Sequence, residues 1–210
     1  MKGKVVKSMG LREKQRLARR KAILFAAGDL FATGSFDTTS LEDVAASASL
    51  SVPTIYTFFK SKQELLLGLL EEDRVLLEPK LAAIVEQLPG DAVEAFFAIG
   101  RAIIADGYDV TRKNVWREIL AASIRFGSEE RNQFRELQSV SAKYIGLAVD
   151  ALQQRGLLSL DLDRDSAVRV VHGLIRRVFQ LYVVNDSVSV EDMMAMLLTD
   201  LKSVIAGLGQ

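Results

Sequence analysis

Apolar residues recur every three or four positions along most of the chain, which is the spacing of one face of an α-helix. The first such pattern covers about residues 11–33 and ends at a turn at Gly34–Ser35. Its apolar positions are Leu17, Ile23, Leu24, Ala27, Leu30 and Phe31. No stretch shows the strict alternation of a β-strand, so the sequence predicts an all-α protein.

Two short helices are predicted after the first one. Ser40 is expected to cap the second helix, with Asp43 three residues later as in a capping box. Ser51 is expected to cap the third helix, with Pro53 in its first turn. Two short helices on a longer one form a helix-turn-helix domain, whose last helix presents its N-terminal residues to the DNA major groove.

The rest of the chain is predicted to be a larger helical domain. Ser61 and Glu64 form another capping-box pattern, which begins a long helix that we expect to be kinked or broken near Pro79. Further helices are predicted at about residues 91–106, 111–126, 128–155, 164–184 and 190–208. We therefore expect a three-helix DNA-binding domain over residues 1–62, with a basic N-terminal arm, and a second domain over residues 63–210.

Charge is distributed unevenly along the chain although its formal net charge is zero. Residues 1–62 contain 11 Lys and Arg against 5 Asp and Glu, so the rest of the chain has the opposite excess. A basic N-terminal segment favours a polyanionic partner. The arm from Lys2 to Lys21 could follow a DNA backbone or reach a minor groove, or could be only a solubilising tail.

The predicted third helix lies in the stretch SVPTIYTFFKSK, residues 51–62. Leu50, Ile55 and Phe59 can anchor it, which leaves the other side chains for an outer surface. Those side chains are Val52, Pro53, Thr54, Tyr56, Thr57 and Phe58. Thr54 and Tyr56 offer hydroxyl groups to phosphates, and Thr57 could contact a base edge or a thymine methyl group. Lys62 adds a cation near a helix N-terminus.

Three segments together resemble the TetR/AcrR family of one-component bacterial regulators. They are ILFAAGDLF (23–31), FDTTSLEDVA (36–45) and ASLSVPTIYTFFKSKQELL (48–66). The resemblance implies that Thr39 or Ser40, Thr54, Tyr56 and Lys62 contact phosphates, and that Val52, Pro53 and Thr57 lie where family members read bases. We also assign Ser51, at the start of the recognition helix, to the DNA-binding surface.

The sequence departs from the family pattern at several positions. The family's glycine before the aromatic residue is Ser35, with Gly34 one place early, and the usual glycine of the turn is Ser49. Ser49 is therefore expected to adopt a less common backbone conformation. Phe58 and the Val52–Pro53 pair are apolar where polar residues are frequent, so apolar contact or DNA shape is expected to contribute more to specificity.

The last two predicted helices are apolar over wide faces. The helix at 164–184 is apolar around most of its circumference, and the helix at 190–208 has a similarly wide apolar face. These two helices could pair with their copies in a four-helix bundle, as the family does. A two-fold dimer would place two recognition helices on successive major grooves of a palindrome-like operator.

The second domain is rich in aromatic residues that could line an apolar effector pocket, although a plain helical core would have the same composition. The candidate pocket residues are Phe97, Tyr108, Trp116, Phe126, Tyr144, His172 and Arg176. Arg169, His172 and Arg176 share one helix face and could orient an anionic or polar effector. Salt bridges across a dimer or a solvated edge are the alternatives. The resemblance implies that a small molecule alters operator affinity.

Several classes of function find little support in the sequence. There is no cysteine and one histidine, and no common catalytic or phosphate-binding motif is present, so we expect neither an enzyme nor a cofactor or metal. Asp161, Asp163 and Asp165 mimic a calcium loop, but Ser166 and His172 occupy its glycine and glutamate positions. We interpret these acids as linker residues and helix-start residues.

The expected function is that of a dimeric, ligand-responsive transcriptional regulator, more often a repressor in the family. No targeting or membrane-spanning segment is visible, and the absence of cysteine fits a reducing cytoplasm. The alternative is an effector-independent architectural or interaction protein with a helix-turn-helix domain.

Overall fold

The computed structural model describes residues 10–34, 36–105 and 113–208. Within those ranges the chain forms nine α-helices and no strand, which confirms the all-α prediction. The helices are α1 (Leu11–Thr33), α2 (Leu41–Ser47), α3 (Val52–Phe58), α4 (Lys62–Glu86), α5 (Ala92–Ile104), α6 (Lys113–Arg125), α7 (Ser128–Gln154), α8 (Arg164–Val184) and α9 (Val190–Leu208). Over the same described ranges, no helix is both long and apolar enough to cross a membrane.

The chain divides into two compact units, Met1–Leu69 and Leu70–Gln210. We refer to them as the first unit and the second unit. The division falls inside α4, downstream of the boundary expected from the sequence at residues 62 and 63. Helix α4 therefore contributes residues to both units.

The core of the first unit involves only the C-terminal half of α1. Ile23, Leu24 and Phe31 are buried there, whereas residues 11–22 are exposed or half-buried throughout. Leu17, expected on the apolar face, is 41% exposed. The buried face of α1 therefore begins at Ile23 and not at Leu17, because the first half of the helix extends beyond the core.

Helix α2 begins with the capping box that the sequence predicted. The Ser40 Oγ accepts a hydrogen bond from the Asp43 backbone N–H at 3.0 Å, and Asp43 Oδ2 accepts from the Ser40 backbone N–H at 2.8 Å. The Ser40 hydroxyl also donates to the Asp43 carboxylate at 2.7 Å. These hydrogen bonds lower the pKa of Asp43 below its usual value.

The turn between α2 and α3 contains the backbone conformation expected at Ser49. Its φ is 54°, in the left-handed region. The Leu50 N–H donates to the Ala45 carbonyl at 2.9 Å and the Ser49 N–H donates to the Ala46 carbonyl at 3.1 Å. This pair of bonds is a Schellman motif, in which the residue at the position of Ser49 is most often glycine.

The start of α3 differs in detail from the prediction. Ser51 occupies the N-cap position, but its side chain makes no capping hydrogen bond to the backbone. Its Oγ lies 2.7 Å from Thr54 Oγ1 instead. Ile55 is fully buried within this helix, and Phe59 directly after it is 4% exposed. A helix of this length is therefore anchored by two neighbouring side chains on its inner face.

Helix α4 begins as predicted but does not break at Pro79. The Ser61 Oγ accepts from the Glu64 N–H at 3.1 Å, and the Glu64 carboxylate accepts from the Lys60 N–H at 2.7 Å. The helix continues through Pro79 to Glu86. The proline removes a hydrogen bond to the carbonyl of Val75, and Val75 is 71% exposed, so water can take the place of the missing donor.

Helix α5 packs closely against α8 and α9 in the second unit. A Cβ atom at Gly100 would lie 2.7 Å from Leu197 Cδ2 and 3.3 Å from Ile175 Cγ1. Such close packing fixes the relative positions of these three helices. Asp163 caps the N-terminus of helix α8, since its carboxylate accepts from the Ser166 N–H at 2.9 Å. Asp163 therefore has the helix-start role inferred from the sequence.

The left-handed conformation of Ser49 has a steric cost that glycine would not have. We expect Ser49→Gly to raise the free energy of unfolding by about 0.5–1 kcal/mol, because glycine adopts the left-handed conformation without the steric cost of a Cβ. The matched control is Ala48→Gly, one residue earlier, where φ is −78°. That change should lower the free energy of unfolding by about 0.5–1 kcal/mol. Urea titrations measure the free energy of unfolding of both variants. Changes of the same sign would contradict the left-handed conformation assigned to Ser49.

Candidate nucleic-acid interface and ligand cavity

A groove of about 560 Å³ lies between α1 and α3 in the first unit. We call it the basic groove. Its lining consists of Arg12, Gln15, Arg16 and Arg19 from α1 with Pro53, Thr54, Thr57 and Phe58 from α3. Three residues that the sequence assigned to DNA contacts therefore share one concave surface with three arginines.

The arginines give the basic groove its charge. Arg12, Arg16 and Arg19 are spaced at i, i+4 and i+7, which places them on one face of α1. All three are exposed, and none has a carboxylate partner among the described residues. The Arg16 guanidinium carbon lies 6.0 Å from the centre of the Phe58 ring. These arginines belong to the basic arm from Lys2 to Lys21 that could follow a DNA backbone, and their helical spacing was the signal that could have singled them out.

The hydroxyl groups of α3 are partly used inside the helix. Thr57 donates its hydroxyl proton to the Thr54 carbonyl at 2.7 Å, so its methyl group and oxygen lone pairs remain for an outside partner. Ser51 and Thr54 share one hydrogen bond, in which either hydroxyl can be the donor. The accepting hydroxyl keeps its own proton, which can be donated to a phosphate oxygen.

The remaining residues assigned to α3 differ in exposure. Pro53 is exposed and Val52 is half-buried. Tyr56 is 48% exposed, and its hydroxyl has no hydrogen-bond partner among the described residues. Tyr56 does not line the basic groove, so it offers its hydroxyl on another side of the helix.

Thr39, Ser40 and Lys62 are more occupied within the protein. Thr39 is only 8% exposed, and the Ser40 side chain belongs to the capping box. The Lys62 ammonium group donates to the carbonyls of Phe36 and Asp37, at 3.1 Å for Asp37, and lies 4.5 Å from the centre of the Phe36 ring. Lys62 thus fastens the loop before α2 to the start of α4, and one of its three N–H groups remains.

A second cavity, of about 100 Å³, lies among α4, α5, α6, α7 and α8 in the second unit. We call it the unit-2 cavity. Its apolar wall includes Ile103, Ile104, Trp116, Ile119, Ile175 and Phe179. The Trp116 and Phe179 rings meet edge to face, with their centres 5.1 Å apart. This wall suits a hydrocarbon or aromatic group.

The polar side of the unit-2 cavity contains Arg74, Gln138, Ser141, His172, Arg176 and Gln180. Arg176 donates to the Gln138 side-chain oxygen at 2.8 Å. Burial, followed by the nearby charge of Arg176, lowers the pKa of His172 below its usual value. His172 is therefore neutral at pH 7, and its ring presents one donor and one acceptor. Arg176 and Gln180 are exposed, which marks the solvent side of the cavity.

The unit-2 cavity brings together some of the residues that the sequence assigned to an effector pocket. Trp116, His172 and Arg176 line it, whereas Phe97, Phe126 and Tyr144 do not. Tyr108 falls outside the described residues. Arg169, which was expected to share a direction with His172 and Arg176, instead donates to the Ser166 hydroxyl at 2.6 Å.

The three aromatic residues outside the lining have simple geometric explanations. Phe97 lies two helical turns before the lining residue Ile104 on α5, so it is too far along the helix to reach the cavity. Phe126 packs edge to face behind the lining residue Phe134, with ring centres 5.6 Å apart. Tyr144 is turned toward α4, where its hydroxyl lies 3.5 Å from Glu78 Oε1.

Arg74 is a charged lining residue that sequence reasoning missed. It lies on α4 between Leu70 and Leu77, two buried residues that continue the apolar stripe to Leu81. An arginine in the middle of an apolar stripe was the available signal, because such a position turns the side chain toward the interior.

Helix α8 also has an open apolar face. Val170 is 40% exposed, Leu181 is 37% exposed and Val184 is 60% exposed. Gly173 lies on the same face, and a Cβ atom there would meet nothing within 4 Å. Nothing in the described part of this single chain therefore covers the face that the sequence assigned to dimerisation.

Comparisons with known proteins relate the chain to bacterial regulators. Residues 23–69 match the family described as "Bacterial regulatory proteins, tetR family". The Escherichia coli (strain K12) protein named "Probable acrEF/envCD operon repressor" is 24% identical over 174 residues, which cover 80% of this chain and 78% of that protein. The "HTH-type transcriptional regulator EthR" of Mycolicibacterium smegmatis (strain ATCC 700084 / mc(2)155) is 35% identical over 77 residues, 37% of this chain and 36% of that one.

The fold of nearly the whole chain is also similar to a solved structure. The transcriptional regulator FadR from Bacillus subtilis, in complex with stearoyl-CoA, superposes with a TM-score of 0.74 at 21% identity. The match covers 89% of this chain and 98% of that one. The helix-turn-helix segment, the basic groove and these similarities lead to one conclusion: residues 23–69 are a DNA-binding domain of the tetR family of bacterial regulatory proteins, in a chain whose fold is that of a known transcriptional regulator.

Proposed function

We propose that this regulator is a repressor that binds a palindromic operator as a dimer and is released by a small molecule in the unit-2 cavity. The observation that carries the proposal is the basic groove, in which three arginines of α1 line one surface with Pro53 and Thr57 of α3. Positive charge beside a recognition helix supplies affinity for the DNA backbone, and the helix supplies the sequence preference. A repressor function is favoured because the Escherichia coli relative is named as one.

Helix α3 is proposed to enter the major groove with its N-terminal residues toward the bases. Val52, Pro53 and Thr57 would read base edges, with the Thr57 methyl group suited to a thymine methyl because its hydroxyl proton is already donated within the helix. Ser51, Thr54 and Tyr56 would donate to phosphate oxygens.

The arginines of α1 are proposed as further phosphate contacts, and they supply more charge than α3 itself. Thr39, Ser40 and Lys62 would contribute less through their side chains, since these are occupied in the capping box and in the loop before α2. Their backbone groups and the remaining Lys62 N–H could still approach a phosphate.

Dimerisation is proposed through α8 and α9. The exposed apolar residues of α8 need a cover, and Gly173 between them allows a second helix to approach closely. A two-fold axis through this surface would bring two recognition helices to the two halves of an inverted repeat.

Ligand control is proposed to act through the unit-2 cavity. The Bacillus subtilis neighbour was solved in complex with stearoyl-CoA, so this fold accommodates a ligand in at least that protein. Leu70, Arg74 and Leu77 of α4 line the cavity here, and the same helix begins at Lys62 in the first unit. A ligand that prefers one conformation of α4 would shift the population of DNA-binding dimers. Such a protein would act in the cytoplasm.

The proposal is tested by recovering DNA from a genomic pool. Purified full-length protein is incubated with fragmented genomic DNA at about physiological salt, and the bound fragments are sequenced. We expect enrichment of one or a few inverted repeats. Recovery that depends on salt but not on sequence would instead support an effector-independent architectural protein, and no recovery under any condition would contradict DNA binding.

Substitutions in the basic groove test the role of α1. We expect Arg12→Gln and Arg19→Gln each to weaken binding to specific and unrelated DNA alike, and to reduce the salt slope of log K by about 0.9 per lost phosphate contact. The matched control is Lys14→Gln, an exposed cation on α1 outside the groove. Fluorescence anisotropy over a range of salt concentrations measures the DNA affinity of all three variants. An equal change in slope for Lys14→Gln would show that only the net charge matters.

A charged residue on the open face of α8 tests the dimer. We expect Gly173→Glu to give the mass of a single chain in light scattering and to lower operator affinity by about tenfold or more, because a buried unpaired carboxylate opposes association. The substitution should not weaken the helix itself, since glutamate is a better helix former than glycine. The control is Gly90→Glu, at another open position. A Gly173→Glu protein that keeps twice the chain mass would exclude this interface.

A further inference from the structure

We propose that the unit-2 cavity binds a small amphipathic carboxylate, whose anionic group pairs with Arg74 and Arg176 and whose apolar body lies against Trp116. The inference depends on the proposed function only for its regulatory consequence, because the binding itself requires no DNA. Four features of the second unit support it.

The first feature is the missing partner of Arg74. This guanidinium is half-buried and lines the cavity, yet no carboxylate or other hydrogen-bond acceptor among the described residues pairs with it. Other arginines of the same unit are paired even where they are more exposed. Examples are Arg117 with Asp186, Arg164 with Asp150 and Arg177 with Asp200. A partly buried guanidinium without a partner favours an anion that comes from outside the chain.

The second feature is the sign of the cavity within its surroundings. Residues 63–210 contain more Asp and Glu than Lys and Arg, whereas the described lining contains two arginines and no acidic residue. Arg176 uses one of its N–H groups on Gln138 and has others left. The local positive potential is therefore opposite to the charge of the unit around it. Two arginines without an acidic residue in the described lining also disfavour a cationic ligand.

The third feature is the set of neutral polar groups beside the two arginines. The Ser141 hydroxyl lies in the lining at 5% exposure and has no partner among the described residues. The pKa of His172 is lowered, so its neutral ring can donate one hydrogen bond without adding charge. A carboxylate has about four lone-pair directions, and it can accept from Ser141 and His172 as well as from the guanidinium groups.

The fourth feature is the size and character of the remaining wall. Trp116, Ile119 and Phe179 belong to its apolar part, which gives no partner to a fully polar ion. The cavity volume is about 100 Å³. An engineered apolar cavity of about 150 Å³ holds benzene, so the apolar body expected here is about the size of a short alkyl chain. The chemistry that fits is a carboxylate on a hydrocarbon of roughly three to five carbons.

Binding is measured on the full-length protein through the fluorescence of Trp116, the only tryptophan in the chain. The probes are hexanoate, hexan-1-ol and hexylamine, which share a chain length and differ in charge at about pH 7.5. We expect saturable changes with hexanoate and a Kd about tenfold or more below that of hexan-1-ol, with hexylamine weakest. Acetate should bind more weakly than hexanoate, because it lacks the apolar body.

Two substitutions make the test specific. Arg74→Gln should raise the Kd of hexanoate by about tenfold while it changes that of hexan-1-ol by less than about threefold. The matched control is Arg135→Gln on α7, an exposed arginine outside the lining, which should leave both values unchanged. Arg176→Gln is the second variant, and it should also weaken hexanoate selectively. A shift in melting temperature with each probe gives a readout that does not use Trp116.

Three outcomes would overturn the proposal. They are equal binding of hexan-1-ol and hexanoate, unchanged hexanoate affinity in both arginine variants, and no saturable binding of straight-chain carboxylates from butanoate to decanoate. Release of operator DNA is measured separately with the same probes. Operator binding without preference for the carboxylate leaves the proposed function standing and removes this inference. Carboxylate binding by a protein that selects no DNA sequence would support this inference and contradict the proposed function.

Discussion

The proposed DNA-binding surface depends on how firmly a seven-residue helix is held. Helix α3 is too short to be stable by itself, and within it only Ile55 is fully buried. Its direction is therefore fixed by the turn before it, where Ser49 adopts a left-handed conformation, and by Phe59 after it. The same turn closes α2 through the Schellman hydrogen bonds, so the geometry of both helices of the motif depends on one strained residue.

A helix held in this way can leave its outer residues free for DNA. The side chains at the ends of the motif stabilise the protein itself, as Ser40 does in the capping box and Lys62 does on the loop carbonyls. Those of the middle, such as Pro53 and Tyr56, remain exposed. Because no side chain of α3 is charged, the arginines of α1 supply much of the positive potential beside it. We thus attribute affinity for the DNA backbone mainly to α1 and sequence specificity to α3, although both helices line one groove.

The sequence predicted the helices well because their signals are local. Capping at Ser40, the left-handed Ser49 and the helix-start role of Asp163 each follow from one residue and its near neighbours. Of the two outcomes predicted at Pro79, a kink or a break, the break does not occur, because the exposure of Val75, which makes the proline tolerable, is a property of the packed protein. The cavity lining was harder still. Aromatic composition suggested Phe126 and Tyr144, but which side chains reach a cavity depends on helix rotation and on what packs behind them.

Arg74 shows how a local cost can indicate a function. An unpaired, half-buried guanidinium is less favourable than a leucine at the same point of an apolar stripe, and the second unit contains enough acidic residues to have paired it. Arg176 lines the same cavity, where burial and then the charge of Arg176 lower the pKa of His172. A ligand that supplies the missing anion would remove this cost in the bound state alone. Its binding free energy would then stabilise whichever conformation of the second unit holds the two arginines together, which is the requirement for a ligand to shift a regulator between two states.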